Sequence, residues 1–178
     1  MLTNILIGLV VLVALFLIFV ATRPSIFAVT RSAVIPFPAD RVFTIVNDFH
    51  KWEDWSPWAK LDPECKNTFD GAASGVGSKF AWDGNNQVGS GRMEITESRP
   101  NSSITMDLVF TRPMQATNLT VFAFEPSGNG TRVTWTMSGK NGFVGKLFSL
   151  VMNCDKMVGG QFEKGLDNMK SVLGANAI

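Results

Sequence analysis

Tyrosine is absent from the 178 residues, and histidine occurs once, as His50. Acid–base chemistry near neutral pH therefore has few carriers. Cysteine occurs twice, at Cys65 and Cys154. Two cysteines make no disulfide scaffold, and with one histidine they make no convincing zinc site, so both are read as free thiols. Charge of one sign is lacking too: 16 basic and 15 acidic side chains are interspersed, for a net charge of +1. A nucleic-acid surface needs a basic patch, and none is legible. No internal repeat, low-complexity tract or second domain is visible, and no cofactor is expected. What abounds is large apolar surface: 14 Phe, five Trp and eight Met.

Charge is missing altogether from residues 2–22, LTNILIGLVVLVALFLIFVAT. As a helix rising 1.5 Å per residue, this stretch spans roughly 31 Å, about the hydrocarbon thickness of a bilayer. A cleaved signal peptide is the competing reading. No Lys or Arg precedes the run, the run exceeds the usual ~7–15 residues, and no clean A-x-A site follows, so the expectation is an uncleaved single-pass anchor. Arg23, Arg31 and Arg41 follow the span with no basic residue before it, which favours the soluble domain on the cytoplasmic side. The expected organisation is an anchor over 1–22, a linker over 23–26, a domain over 27–173 and a tail over 174–178.

Within the domain, Phe27–Ile35 reads as a strand ended by Pro36 and Pro38. Ala39–Asp48 opens with Pro38 and Asp40 and places Val42, Phe43 and Val46 on one face, a short amphipathic helix. Trp52, Trp55 and Trp58 follow at steps of three, with Pro57 closing any helical turn. Segments 65–70, 77–83, 88–98, 103–110, 114–125 and 131–138 then alternate with period two, separated by Gly, Asn, Asp and Pro, which predicts an antiparallel meander. Ile104, Met106, Leu108 and Phe110 share one face; so do Val133, Trp135 and Met137, Phe80 with Trp82, and Met93 with Ile95. From Phe143 the period is helical: Leu147, Leu150, Val151 and Cys154 form one set, and Val158, Phe162, Leu166, Met169 and Leu173 a longer one. Gly159-Gly160 marks either a break or a close approach.

Chemical motifs are few. His50 lies near Glu53 and Asp54, a conceivable base with a carboxylate partner, but no nucleophile or oxyanion hole accompanies it, and a solvated polar face is the default. Gly71–Lys79 (GAASGVGSK) invites a phosphate-loop reading. Val76 stands where the second Gly is needed and a strand follows, so a tight turn is expected. The sequons at Asn101, Asn118 and Asn129 are explained by strand and turn composition.

The order of strand, short helices, six-stranded meander and long helix, together with IPFPADRVFTIVNDFHKWEDWSPW, FDGAASGVGSKFAW, GSGRMEITESRPN and KMVGGQFEKGLDNMK, resembles the polyketide cyclase/dehydrase branch of the START-like (SRPBCC) superfamily. The resemblance covers about residues 27–173. It implies an α+β helix-grip fold, a curved antiparallel β-sheet wrapped around a long C-terminal helix, with an apolar cavity between them. The superfamily contains lipid carriers, hormone and quinone binders and aromatic cyclases, so fold is indicated more firmly than activity.

The leading expectation is membrane-tethered binding or carrying of a small apolar molecule, such as a lipid, quinone or aromatic compound. Candidate ligand-binding residues are Trp55, Trp58, Trp82, Met93, Ile95, Met106, Leu108, Phe122, Trp135 and Phe162, inward-facing side chains of the sheet, the Trp cluster and the last helix. Two alternatives stay open: an interaction or stress-response module with a filled interior, and a cyclase- or dehydratase-type enzyme. The inward faces offer almost no polar groups beyond indoles, which leans away from an enzyme.

Overall fold

The computed structural model describes residues 2–151 and 154–175, apart from the side chains of Phe148, Val151 and Cys154. The chain runs α1 (Leu2–Thr22), β1 (Ile26–Ile35), α2 (Ala39–Val46), a 3-10 turn at Phe49–Lys51 and α3 (Trp52–Trp55). Then come β2 (Lys66–Gly71), β3 (Ser78–Asp83), β4 (Ser90–Arg99), β5 (Ser103–Arg112), β6 (Ala116–Ser127) and β7 (Gly130–Lys140). α4 (Phe143–Val151) and α5 (Cys154–Ala175) close it.

All seven strands form one antiparallel sheet in the order β1-β7-β6-β5-β4-β3-β2. The six-stranded meander is as the period-two pattern predicts, and β1 returns to pair with β7. Register shifts in β4, between Ser90 and Gly91 and between Ile95 and Glu97, are the irregularities that bend such a sheet. The concave face carries Ile104, Met106, Phe122, Val133 and Trp135, all buried. Phe162, Leu166, Met169 and Leu173 face it from α5 and are buried in turn. This is the helix-grip architecture.

α2 forms because Val42, Phe43, Ile45 and Val46 make an apolar stripe, and it stops at Asn47, whose N–H closes the last turn on the Phe43 carbonyl at 2.9 Å. The next carbonyls of that helix end lack helical partners. Trp52 Nε1 donates to the Val46 carbonyl (2.9 Å) and Trp55 Nε1 to the Ile45 carbonyl (3.0 Å). Trp52 and Trp55 are therefore first a clamp that joins α3 to α2.

Gly159-Gly160 does not break the last helix, which runs unbroken through both. The reason is on β1. The Arg31 guanidinium pairs with Asp155 at 2.9 Å and Glu163 at 2.7 Å. Those carboxylates lie four residues either side of Gly159, on one helical face. A Cβ on Gly159 would run into the guanidinium, so glycine here is a close approach. Of the helical set before it, Val151 and Cys154 have side chains outside the described residues.

α1 is 21 residues long and apolar enough to cross a membrane. Its last turn is tied to α4: Val20 is fully buried, and Lys146 Nζ donates to the Ala21 carbonyl at 2.9 Å.

The candidate ligand cavity

α5 packs along β1, α2 and α3. The inner faces of β3, β4 and β5 extend beyond its reach, and there the interior is open. A cavity of about 220 Å³ lies between the sheet and α5. Phe80 and Trp82 of β3, Met93 of β4, and Leu108 and Phe110 of β5 form its floor. Thr120, Trp135 and Met137 continue the wall on β6 and β7, and Val158 and Phe162 close it from α5. Glu53, Ser56, Asp62, Cys65 and Asn67, all at least partly exposed, lie along its mouth.

Of the residues expected from sequence, Trp58, Trp82, Met93, Leu108, Trp135 and Phe162 stand on this wall. Trp55, Ile95, Met106 and Phe122 do not. Each is fully buried in the packed core. Period two puts a side chain on the concave face but does not say whether helix or open space lies opposite. Phe49, Phe80, Phe110, Thr120, Met137 and Val158 are lining residues absent from the sequence-derived set. Four of them extend rows already legible: Phe80 beside Trp82, Phe110 after Leu108, Met137 after Trp135, and Thr120 two before Phe122.

Trp135 is the centre of the wall. Its indole stacks on Phe162, with centroids 4.0 Å apart and planes 8° from parallel. Trp55 and Trp58 meet it edge-on at 5.7 Å and 5.9 Å. Offset and edge contacts of this kind hold aromatic walls in fixed positions. The floor repeats the arrangement: Trp82 stacks on Phe80 at 5.8 Å and meets Phe110 edge-on at 5.7 Å.

Polar groups are sparse. Among the described residues, no Lys or Arg lines the cavity, and its carboxylates, Glu53 and Asp62, lie at the mouth. Burial pushes the Cys65 thiol up from its ordinary range, and the Asp62 carboxylate adds to the shift. Trp82 Nε1 donates to the Val88 carbonyl at 3.3 Å. Thr120 Oγ1 and Trp135 Nε1 are buried without a protein partner.

His50 does not line the cavity. Its Nδ1 lies 3.0 Å from Asp48 Oδ1, and its ring stacks on Phe69 at 4.3 Å, so its partner is Asp48 rather than Glu53 or Asp54. The Gly71–Lys79 stretch is the β2–β3 turn, built on left-handed Gly71, Gly75 and Gly77 (φ 76°, 72° and 84°). Asn118, in one of the sequons, is buried on β6. Among the described residues, no group of three or more His, Cys, Asp or Glu gathers as a metal site. The arrangement can enclose a compact apolar body.

Comparison with known proteins gives the fold independent support. A protein from Rhizobium leguminosarum superposes with a TM-score of 0.62 at 16% identity, over 84% of this chain and 95% of its own. One from Chromobacterium violaceum gives 0.60 at 13% identity, over 82% and 95%. The Aha1 dimer protein from Colwellia psychrerythraea gives 0.56 at 16% identity, over 81% and 96%. At these identities the likeness establishes fold alone. No curated protein matches the chain. The profile of one family, described as polyketide cyclase / dehydrase and lipid transport, matches residues 27–174, the sheet, the short helices and α5 together. The chain therefore belongs to the polyketide cyclase/dehydrase and lipid transport family.

Proposed function

We propose that this protein binds or carries a small hydrophobic ligand while tethered to a membrane by α1. The observation that carries the reading is the cavity of about 220 Å³, walled by Trp, Phe, Met and Leu side chains. It is smaller than the roughly 300–1,000 Å³ of pockets that enclose drug-sized ligands. The guest is then a compact ring system or a short acyl segment, not a whole diacyl lipid. The absence of a cation among the described lining residues favours a neutral guest over a carboxylate. α1 supports the tether, since its 21 residues reach about 31 Å as a helix. Arg23, just beyond it, favours the domain on the cytoplasmic side.

Native mass spectrometry of the full chain, released from mild detergent, tests the reading. The expected result is a compact apolar adduct on the wild type that is missing from Leu108→Trp, which fills the floor while leaving the circular dichroism spectrum unchanged. A wild type with no adduct, and no uptake of a small neutral aromatic, would replace it with the interaction-module reading.

A further inference from the structure

Resting on the tether by α1, we infer that α4 and the rim of the sheet beside it form a second membrane contact, a face that lies in the headgroup layer of the bilayer that α1 crosses. The domain is then seated on the lipid surface and does not hang from a free linker.

The joint between α1 and the domain is bonded at two places. The Ser25 carbonyl accepts from the Asn141 N–H at 2.6 Å, which ties the linker to the connection between β7 and α4. Lys146 Nζ of α4 donates to the Ala21 carbonyl, and Val20 beside it is fully buried. Among the described residues, the principal neighbour of α4 is α1. With α1 across the bilayer, its 21 residues reach about 31 Å, so its last turn stands at the boundary between hydrocarbon and headgroups. α4 is bonded to that turn and stands at the same level.

The composition of α4 fits that level. Its nine residues, FVGKLFSLV, carry one charge, Lys146, and that ammonium is turned to the Ala21 carbonyl. Phe143 and Val144 are exposed on α4, and Met157 is exposed near the start of α5. The same rim holds the start of β1 and the turn from β5 to β6, where Ile26 and Met114 are exposed. At the opposite rim, turns 71–78, 99–103 and 127–130 expose one large apolar side chain among the described residues, Val76. Exposed apolar side chains gathered at one end mark an interaction surface. Here that end is the one where the span enters. Charge selects lipid as the partner. Over 140–157 the charged side chains are Lys140, Lys146, Asp155 and Lys156, and the Asp155 carboxylate is already paired with Arg31. A short apolar helix flanked by lysines is the composition of an interfacial segment, and its cations favour an anionic leaflet.

The cavity stands in the same half of the sheet. Asn67, Trp82, Phe110 and Met137 line it, and each lies within three positions of its strand's end on this rim. Docking therefore sets the cavity beside the phase in which an apolar guest is concentrated.

The test measures depth in the bilayer. The full chain, carrying Cys65→Ser and Cys154→Ser, is labelled with the environment-sensitive dye NBD at one introduced cysteine at a time: Leu12→Cys, Met114→Cys, Val144→Cys or Val76→Cys. Each is placed in nanodiscs of phosphatidylcholine and phosphatidylglycerol, with a nitroxide on the lipid chain either just below the headgroup or near the bilayer centre. The deep nitroxide should quench the dye at Leu12. The shallow one should quench the dyes at Val144 and Met114, whose emission should be blue-shifted, and neither should quench the dye at Val76. Quenching at Leu12 without quenching at Val144 and Met114 overturns the inference and leaves the tether in place. No quenching at Leu12 overturns the tether and this inference with it. Blue-shifted emission at Val144 without lipid quenching, seen when two chains share a disc, assigns the face to a second copy and overturns the inference too. Equal quenching at Val76 and Val144 overturns the assignment of the contact to this rim.

Discussion

Trp135 and Phe162 lie face to face, 4.0 Å between centroids, and through them β7 meets α5. One turn further along the helix, Gly165 has no side chain to keep the two elements apart. A Cβ there would come within 2.9 Å of Trp135 Cζ3 and 3.2 Å of Pro57 Cδ.

Gly165→Ala sets helix propensity against packing. Alanine in a helix interior is favoured over glycine by about 1 kcal/mol. Overpacking a close contact costs about 1–3 kcal/mol. The rings are hemmed in by Trp55 and Trp58, so packing prevails and the net effect is a loss of roughly 1 kcal/mol. Denaturant unfolding of the full chain measures it; a stabilised variant would mean that the wall yields freely.

Phe162→Ala removes the other half of the stack. Buried Phe→Ala changes cost about 3–5 kcal/mol. Phe162 has the cavity on one side, so the loss should fall near 3 kcal/mol. The enlarged space should also admit a guest larger than the wild type takes, as read by native mass spectrometry.

Arg31 and Asp155 give a pH-dependent contribution. Hydrogen bonding from the Arg31 guanidinium holds the Asp155 carboxyl below the usual carboxylate range, and the same contacts raise Arg31 further from titration. An unfolded Asp titrates near ~3.9. Because the folded value is the lower one, protonation favours the unfolded chain. The contribution is present above about pH 4 and fades as the pH falls through the folded value. The gap in unfolding midpoint between wild type and Asp155→Asn should therefore be larger at pH 7 than at pH 3. A gap that stays constant would show that charge plays no part.

Cys65 reports on the mouth. With its thiol raised by burial, it holds little thiolate at neutral pH. In a Cys154→Ser background, alkylation by iodoacetamide should be slower than that of a free thiol at pH 7.5. The rate should still be climbing at pH values where that of a free thiol has levelled off, and a small neutral aromatic should slow it further. Labelling as fast as a free thiol would place Cys65 outside the cavity.

Much of this architecture is legible in the sequence because alternation is a geometric consequence of the strand. Ile104, Met106 and Leu108 read inward and are inward. The same rule does not separate Leu108, on the cavity, from Met106, in the core, because that depends on what packs opposite each position of the strand. Gly159-Gly160 left a break and a close approach open, since glycine is a poor helix former and Arg31 lies 128 positions upstream of Gly159 in the chain. Thr120 was legible in principle: extending the Phe122 and Phe124 row backward puts a polar side chain on the inner face.

β2 closes the far edge of the sheet with β3 as its one neighbour. All six of its residues are exposed, yet Asn67 and Phe69 border the cavity mouth. Few buried contacts resist its separation, and elements of that kind open locally, well below the free energy of global unfolding. Its amide protons should exchange with solvent deuterium well ahead of those of β5, β6 and β7. The wall of the cavity and its doorway thus belong to two stability regimes within one sheet. If the cavity binds as proposed, a guest would enter and leave on the timescale of a single hairpin fraying, with the aromatic stack between Trp135 and Phe162 undisturbed.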